Sequence, residues 1–391
     1  MKTLALPELA LVVLIGADDA GRAAWARAHF AEEEIIALAD CRRLVADGAE
    51  GDAEREAVAL LDGLVARRLA AGAFTVVDAP HLAPGERQPL VALAKRYHVL
   101  PVALLFDGPD HSTLRREGFR HLFDVDPAQA VTVGHEPLSP NRRDLAGPFD
   151  LIGDVHGCFD ELLGLLERLG YQMGERVVPP PGRKAVFVGD LVDRGPGIAG
   201  VLALVMGMVA EGTALSVAGN HDNKLMRQMQ GRNVRLSHGL QESVTQLARE
   251  TPEFRAQVLA FLSGLPGHYV LDGGRLVVAH GGLKETMHGR DDGAVREFSL
   301  YGATTGETDA LGLPVRLNWA ADYHGPALVV YGHTPVPEPL WQNNTVNIDT
   351  GCVFGGRLTA LRYPEREVVA VPARQRYAEP RRPFLPSDST G

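Results

Sequence analysis

Five short polar clusters between residues 153 and 335 each follow an apolar run. They are Gly153-Asp154-Val155-His156-Gly157, Gly189-Asp190-Leu191-Val192-Asp193-Arg194-Gly195, Gly219-Asn220-His221-Asp222, His280-Gly281-Gly282 and Gly332-His333-Thr334-Pro335. Asp and His two positions apart on an extended segment project to the same side, so Asp154 and His156 can grip one cation. A carboxylate such as Asp190 can bridge two cations, and Asn and neutral His add oxygen and nitrogen ligands. Such a mixed set suits Mn, Fe, Ni, Co or Zn better than Ca or Cu(I). The flanking glycines let the backbone turn sharply and approach the site closely. A single Gly-Asp pair is ordinarily a turn. Five clusters in order outweigh that reading.

Clusters of this kind need strands to hold them. Asp150–Gly153 reads as a strand ending, and Ala185–Val188, Ala214–Val217, Leu276–Ala279, Leu328–Tyr331 and Thr345–Ile348 are short apolar runs. Polar residues gathered just after strands are where α/β enzymes place their sites. Leu162, Leu163, Leu166 and Leu169 fall on one face of a helix. Upstream, Leu9–Ile15, Thr75–Val77 and Pro101–Phe106 are strand-like. The helical stretch Glu54–Ala71 stops at Gly72, which together implies a parallel sheet covered by helices. Expected boundaries are 1–140 for a first α/β domain and 141–375 for a second, with 376–391 a tail. The Pro-rich segment His135–Pro148 reads as a linker.

The 391 residues carry 39 Lys+Arg against 49 Asp+Glu, a net charge of −10 that argues against a general nucleic-acid wrapper. A local basic groove could still hold a strand end. At 45% hydrophobic and 23% charged, the composition is that of a globular protein, not a disordered or fibrous one. The run Leu9–Ala17 is too short to span a bilayer and is flanked by Glu8, Asp18 and Asp19, so a buried strand is expected and no membrane association. Cys41, Cys158 and Cys352 are odd in number and far apart, which points to a reducing, cytoplasmic location. Cys158, beside the first cluster, reads as a packing residue.

The clusters, in this order over roughly Phe149 to Thr350, resemble the calcineurin-like metallophosphoesterases, phosphoprotein-phosphatase branch. That resemblance implies a β-sandwich flanked by helices and two divalent metals, with Mn the favoured ion in vitro. Asp154 and His156 would hold the first, Asp190 would bridge, and Asn220, His280 and His333 would hold the second. It further implies that Arg194 clamps phosphate and that His221 protonates the leaving oxygen, with Asp193 orienting it. The alternative for Arg194 and Asp193 is a local surface ion pair. Asp222 reads as a structural cap.

The whole chain is similar to something narrower, the kinase and phosphatase modules of bacterial polynucleotide kinase-phosphatase. The carrying segments are Gly147-Pro148-Phe149-Asp150, Gly219-Asn220-His221-Asp222-Asn223-Lys224-Leu225 and Tyr301-Gly302-Ala303-Thr304-Thr305-Gly306-Glu307-Thr308-Asp309. Pro314-Val315-Arg316 and Asp349-Thr350-Gly351-Cys352-Val353-Phe354-Gly355-Gly356 complete them. The last also resembles bacterial diadenosine-polyphosphate hydrolases. In the family Asp349 belongs to the phosphatase site. The implied substrates are phosphate monoesters, with 2′,3′-cyclic phosphates and 2′/3′-phosphates at RNA ends, and the implied partners are RNA ends and a ligase or repair protein. Arg290, Arg296 and Arg316 are candidates to line the groove, or a solvated surface.

The first block matches the family's kinase module in layout, but its P-loop is degenerate. Gly16 and Gly21 keep the G-x-x-x-x-G-K-[ST] spacing, while Arg22 and Ala23 replace the Lys and the hydroxyl residue that binds Mg²⁺. Asp18 and Asp19 sit where a nucleotide would dock. The expectation is a P-loop kinase-like fold that has lost phosphoryl transfer. Asp40 and Arg43 still match the family's D-x-x-R element. The competing readings are a protein Ser/Thr phosphatase or dinucleoside-polyphosphate hydrolase, and a scaffold that binds RNA or a repair protein. Composition leaves the oligomeric state open.

Overall fold

The run Ala10–Ile15 is six consecutive apolar residues, all fully buried, which is the pattern of a strand covered on both faces. The computed structural model describes residues 2–45, 50–309, 313–380 and 384. In it, Ala10–Ile15 is the middle of a five-stranded parallel sheet. The strand order is Ile35–Ala37, Thr75–Asp78, Ala10–Ile15, Leu100–Leu105, His121–Asp124. Alternation sorts its residues. Leu11, Val13 and Ile15 pack with Leu61, Val65 and Leu69 of helix Glu50–Ala70 and with Leu90 and Val91 of helix Pro84–Arg96. Val12 and Leu14 face Trp25 and Ala26 of helix Asp19–His29 and also Leu4 and Leu6. Leu4 and Leu6 belong to a parallel pair, Lys2–Pro7 with Val131–Glu136. This unit comprises residues 1–138 together with Arg290–Asp292.

The second unit comprises 139–289 and 293–391. Its two sheets pack face to face. The first runs Ala214–Ser216, Lys184–Phe187, Phe149–Ile152, Arg357–Tyr363, Glu367–Pro372. The second runs Leu340–Gln342, Thr345–Asn347, Leu328–Tyr331, Leu276–Ala279, His268–Leu271, Asn141–Arg142. Phe149, Leu151, Val186, Val188 and Leu361 from one sheet meet Leu276, Val278, Val330, Val346 and Ile348 from the other in a single buried cluster. Helices Phe159–Leu169 and Ile198–Ala210 cover the outer face of the first sheet through Leu162, Leu165, Leu166, Val201 and Val205. This unit is a β-sandwich flanked by helices, and the first is a P-loop-like α/β unit.

Some local expectations differ from the structure. Leu165, rather than Leu163, lies on the buried face of its helix, because Leu163 turns toward the rim. The segment read as a linker, His135–Pro148, contributes the end of strand Val131–Glu136 and the strand Asn141–Arg142, which pairs with His268–Leu271. Prolines at 137, 140 and 148 flank these strands without interrupting them. The tail read from 376 is fixed at its start. The N–H groups of Tyr377 and Ala378 both donate to the Val353 carbonyl, and Phe384 packs edge-on to Phe354. Residues 385–391 lie outside the described residues. Among the described residues no helix is long and apolar enough to cross a membrane.

One buried ion pair holds the covering layer of the first unit. Arg87 is 1% exposed, and its guanidinium makes two 2.7 Å bonds to Glu117 and two more to the carbonyls of His81 and Leu82. Every charge-bearing arm is satisfied. Glu117→Ala leaves a buried cation without its carboxylate, so the first unit loses about 3–5 kcal/mol in urea unfolding followed by circular dichroism. Replacing both partners together, Arg87→Met with Glu117→Leu, costs less than the single change.

Candidate active site

Six loops converge at one edge of the sandwich, because two sets of parallel strands end there. Phe149–Ile152, Lys184–Phe187 and Ala214–Ser216 run parallel in the first sheet. Leu276–Ala279, Leu328–Tyr331 and Thr345–Asn347 run parallel in the second. Their C-terminal ends deliver, in order, Asp154 and His156, Asp190 to Arg194, Asn220 to Asp222, His280, His333 and Asp349. Backbone bonds stitch the loops together. The His156 N–H donates to the Asp190 carbonyl at 2.8 Å, and the Gly332 N–H donates to the His280 carbonyl at 2.9 Å.

Glycine is required where these loops touch. A Cβ on Gly332 would lie 2.0 Å from Asp154 Oδ1, and one on Gly219 would lie 2.1 Å from Asp190 Oδ1. His156, Asp190, Asp193, Arg194 and His333 all adopt positive φ, between 45° and 74°. For residues with side chains that conformation costs about 1–3 kcal/mol each.

Asp190 occupies the centre. Its Oδ2 lies 3.5 Å from His156 Nε2 and 3.3 Å from His280 Nε2, while its Oδ1 accepts the His221 N–H at 2.9 Å. On one side, ligand atoms of His156, Asp190 and His221 lie within 4.8 Å of one another; on the other, those of Asp190, His280 and His333 do. His280 Nε2 is also 2.9 Å from Asn220 Oδ1 and 2.9 Å from His333 Nδ1. Asp154 Oδ2 accepts the His333 N–H at 3.1 Å.

The imidazoles are oriented from behind. His156 Nδ1 donates to the Val192 carbonyl at 2.8 Å, and His221 Nδ1 donates to Asp193 Oδ2 at 2.6 Å. Both rings therefore turn an Nε2 lone pair inward, and Arg194 donates to both, at 2.9 Å for His221. Asp193 is fixed in turn by Ser243, whose hydroxyl donates to Oδ1 at 2.5 Å and accepts the Asp193 N–H at 3.0 Å. Asp222 caps. Its two oxygens accept the N–H groups of Leu191 and Gly219 at 3.0 and 2.9 Å, the structural role expected for it. Phe354 lies under the Arg194 guanidinium at 5.1 Å.

Burial dominates the electrostatics. It raises the carboxyls of Asp154 and Asp190 well above the usual range, helped at Asp154 by the charges of Asp349 and Asp190. It pushes Asp193 and Asp349 up to about 6. It holds His156, His221 and His333 neutral, and lowers His280 to about 3. Arg194 is the positive charge set among these acids.

The residues fit divalent cations on the donor chemistry alone. Asp154 Oδ1 is buried and has no hydrogen-bond partner. The Nε2 atoms of His156 and His221 present lone pairs, and His280 Nε2 faces an amide oxygen, a carboxylate oxygen and a second imidazole at 2.9–3.3 Å. Lone pairs converging on one point call for a cation.

All ten residues singled out in the phosphatase half lie together at this edge. Ser243, Phe354 and the cap at Asp222 complete the surroundings. Ser243 had no signal in the sequence, since it lies on helix Leu240–Leu247, fifty residues from Asp193. The three groove arginines separate. Arg316 donates to the Thr334 hydroxyl, and its charge lowers the pKa of both His280 and His333, which places it beside the site. Arg296 turns to the Leu265 carbonyl at 3.1 Å. Arg290 clusters with the first unit and donates to the carbonyls of Leu69 and Tyr97, so neither of these two serves a groove.

In the first unit, the loop Gly16–Ala23 leads from strand Ala10–Ile15 into helix Asp19–His29, as a P-loop would. Its amides are taken by the chain itself. The Ala17 N–H donates to Asp107 at 3.0 Å, and the Gly21 N–H donates to Asp18 at 3.1 Å. Arg22 is 3% exposed and is engaged by Asp78 at 2.6 Å, Asp19 at 2.7 Å and the Gly16 carbonyl. Asp40 and Arg43 pair with each other on an exposed helix face.

Comparison with known proteins agrees with this geometry. Residues 147–337 match the calcineurin-like phosphoesterase family, and residues 11–132 match the AAA domain family. Bis(5′-nucleosyl)-tetraphosphatase PrpE [asymmetrical] of Anoxybacillus flavithermus is 49% identical over 243 residues, 60% of this chain and 99% of that protein. A solved structure of a proposed diadenosine tetraphosphatase is 27% identical, with a TM-score of 0.45, and covers 60% of this chain and 96% of its own. A Pnkp1/Rnl/Hen1 complex aligns over 85% of this chain and 91% of that one, at 12% identity and a TM-score of 0.22. With its catalytic-type loops, its sandwich and a near-complete relative at this identity, the chain belongs to the calcineurin-like phosphoesterases.

Proposed function

We propose that the second unit hydrolyses dinucleoside polyphosphates at a two-metal centre. The carrying observation is Asp190 Oδ2, placed 3.5 Å from His156 Nε2 and 3.3 Å from His280 Nε2, between two sets of nitrogen and oxygen ligands. Asp154, His156 and Asp190 would hold one cation, and Asp190, Asn220, His280 and His333 the other. Divalent cations there supply Lewis-acid polarisation of phosphoryl oxygens and activation of water near neutral pH, with Mn the first ion to try.

The chain's own residues do the rest. The planar fork of Arg194 suits two phosphate oxygens. Its present partners, His156 and His221, release its N–H groups when an anion arrives. Asp193 fixes the His221 Nδ1–H and Ser243 fixes Asp193, which leaves Nε2 to take up a proton from water and pass it to the leaving oxygen. Asp349 adds negative charge beside Asp154, which favours cations at that end. The substrate class rests on the bis(5′-nucleosyl)-tetraphosphatase relative. A second reading, phosphates at RNA ends, is favoured by the P-loop-like unit in the same chain. In neither reading does that unit transfer phosphate, since Asp18 and Asp107 take the loop amides that a nucleotide needs.

The deciding experiment compares Mn²⁺-dependent turnover of diadenosine tetraphosphate, 3′-phosphorylated RNA, a 2′,3′-cyclic nucleotide and a phosphopeptide. Diadenosine tetraphosphate is expected to give the highest kcat/KM, and Asp190→Asn to lower kcat by about 10³-fold. Preference for the RNA end would move the assignment to the second reading, and no turnover with any substrate or metal would overturn both. His221→Ala should slow loss of a ribose alkoxide more than loss of a nucleotide phosphate, the better leaving group.

Metal content gives a second check. Gly332→Ala drives a methyl into Asp154, so Mn²⁺ bound after dialysis should fall by about 10-fold or more in affinity while the protein stays folded. For the first unit, millimolar ATP with Mg²⁺ is expected to leave the melting temperature unchanged. A ligand at 100 times its Kd would add about 2.7 kcal/mol, a visible upward shift.

A further inference from the structure

Behind the catalytic loops lies a second buried cluster with different donors. Cys158 caps the N-terminus of helix Phe159–Leu169, and Glu161 lies in its first turn. Three residues apart on a helix start, the two side chains share a face. Cys352 opens the short turn Cys352–Phe354, just after Asp349. The two sulfurs and a Glu161 oxygen lie within 4.8 Å of one another, and the three residues are 0%, 3% and 1% exposed.

Glu161 is incompletely satisfied. Its Oε1 accepts the Arg374 N–H at 2.9 Å and the Tyr377 hydroxyl at 2.8 Å, but its Oε2 is buried with no hydrogen-bond partner. Arg374 gives its guanidinium to Asp160 instead, so the nearby cation does not reach Glu161. The Cys158 thiol lies 3.9 Å from the His156 carbonyl and also contacts the Cys352 thiol. A buried carboxylate within reach of two thiols, with one of its oxygens unpartnered, is a costly arrangement in an apolar interior, and a cation resolves it.

We propose that Cys158, Glu161 and Cys352 form a structural site for a thiophilic divalent cation of the zinc class. Two thiolates and one carboxylate select such an ion, whereas the oxygen and imidazole donors of the Asp190 centre suit Mn. On binding, each thiol releases its proton to solvent and its sulfur lone pair forms the metal–sulfur bond; no electrons are transferred. The ion would tie together the helix after His156, the turn after Asp349 and, through Glu161, the segment Arg374–Tyr377. The site is independent of which substrate the catalytic centre takes.

The test strips the full chain with chelator under reducing conditions and titrates it with Co²⁺. Cobalt at the Asp190 centre meets no sulfur, so a sulfur-to-cobalt charge-transfer band in the near ultraviolet reports the proposed site alone. The band is expected to saturate at a single equivalent, to vanish in Cys352→Ser, and to require at least about tenfold more cobalt in Glu161→Gln. Circular dichroism verifies that the variants fold. Cd²⁺ titration of the unaltered protein, read by its own sulfur charge-transfer band, needs no variant. Absence of a band with either metal, or its persistence in Cys352→Ser, overturns the proposal. So does finding one free thiol instead of three in the unfolded, unreduced protein, which would make the pair a disulfide.

Discussion

The second unit is organised around like charges buried together. Asp154, Asp190 and Asp349 are each less than 5% exposed, and their mutual repulsion is part of what raises the carboxyl of Asp154. At an effective dielectric constant of 20, two unit charges 4 Å apart interact by about 4 kcal/mol, before any cost of dehydration. Three such carboxylates in one place must be compensated, by protonation or by positive charge. Arg194 supplies one such charge and is itself half-buried among them. Neutral, lone-pair-presenting histidines add none. The remaining compensation is what divalent cations provide, so the ability to hold metal follows from the acids the fold insists on burying.

Holding them there depends on backbone that few sequences tolerate. Five non-glycine residues in the site adopt positive φ, and two loops pass so closely that a methyl group at Gly219 or Gly332 would overlap a carboxylate. These costs, of order several kcal/mol in sum, are local. The core between the sheets offsets them at a distance. Val186, Val188, Val278, Val330, Val346 and Ile348 bury completely, and each of these strands ends at the site. The rigid apolar middle and the strained polar ends are two halves of the same strands.

This division explains what could be read from the sequence. The strained ends announce themselves, because glycine beside Asp, His or Asn has few other uses after an apolar run. Hence the clusters around Asp154, Asp190, Asn220, His280 and His333 were legible, as were the strands before them. Residues that act through ordinary geometry were not. Ser243 orients Asp193 from a helix of unremarkable composition, and Arg316 differs from Arg290 and Arg296 only in where tertiary packing sends it. The strands Asn141–Arg142 and Val131–Glu136 hid among prolines that flank them without breaking a ladder bond. Leu163 and Leu165 exchanged places on their helix because a 3.6-residue period tolerates either choice.

The first unit separates fold from chemistry in the opposite direction. Its sheet is specified by alternation, with Leu11, Val13 and Ile15 on one face and Val12 and Leu14 on the other, and none of that depends on binding phosphate. The loop after the sheet keeps the glycine spacing but carries Arg22 and Ala23 where a P-loop has Lys and a hydroxyl residue. What filled the loop is informative. A P-loop needs free N–H groups, and these have found internal acceptors in Asp18 and Asp107, while Arg22, at the lysine position, is neutralised by Asp78 and Asp19. Asp18 and Asp107 each accept an amide N–H that a bound phosphate would otherwise claim. They stabilise the loop without a ligand, and once in place they oppose any anion. Restoring lysine at position 22 alone would leave both carboxylates on the amides, so no single replacement frees this loop for an anion.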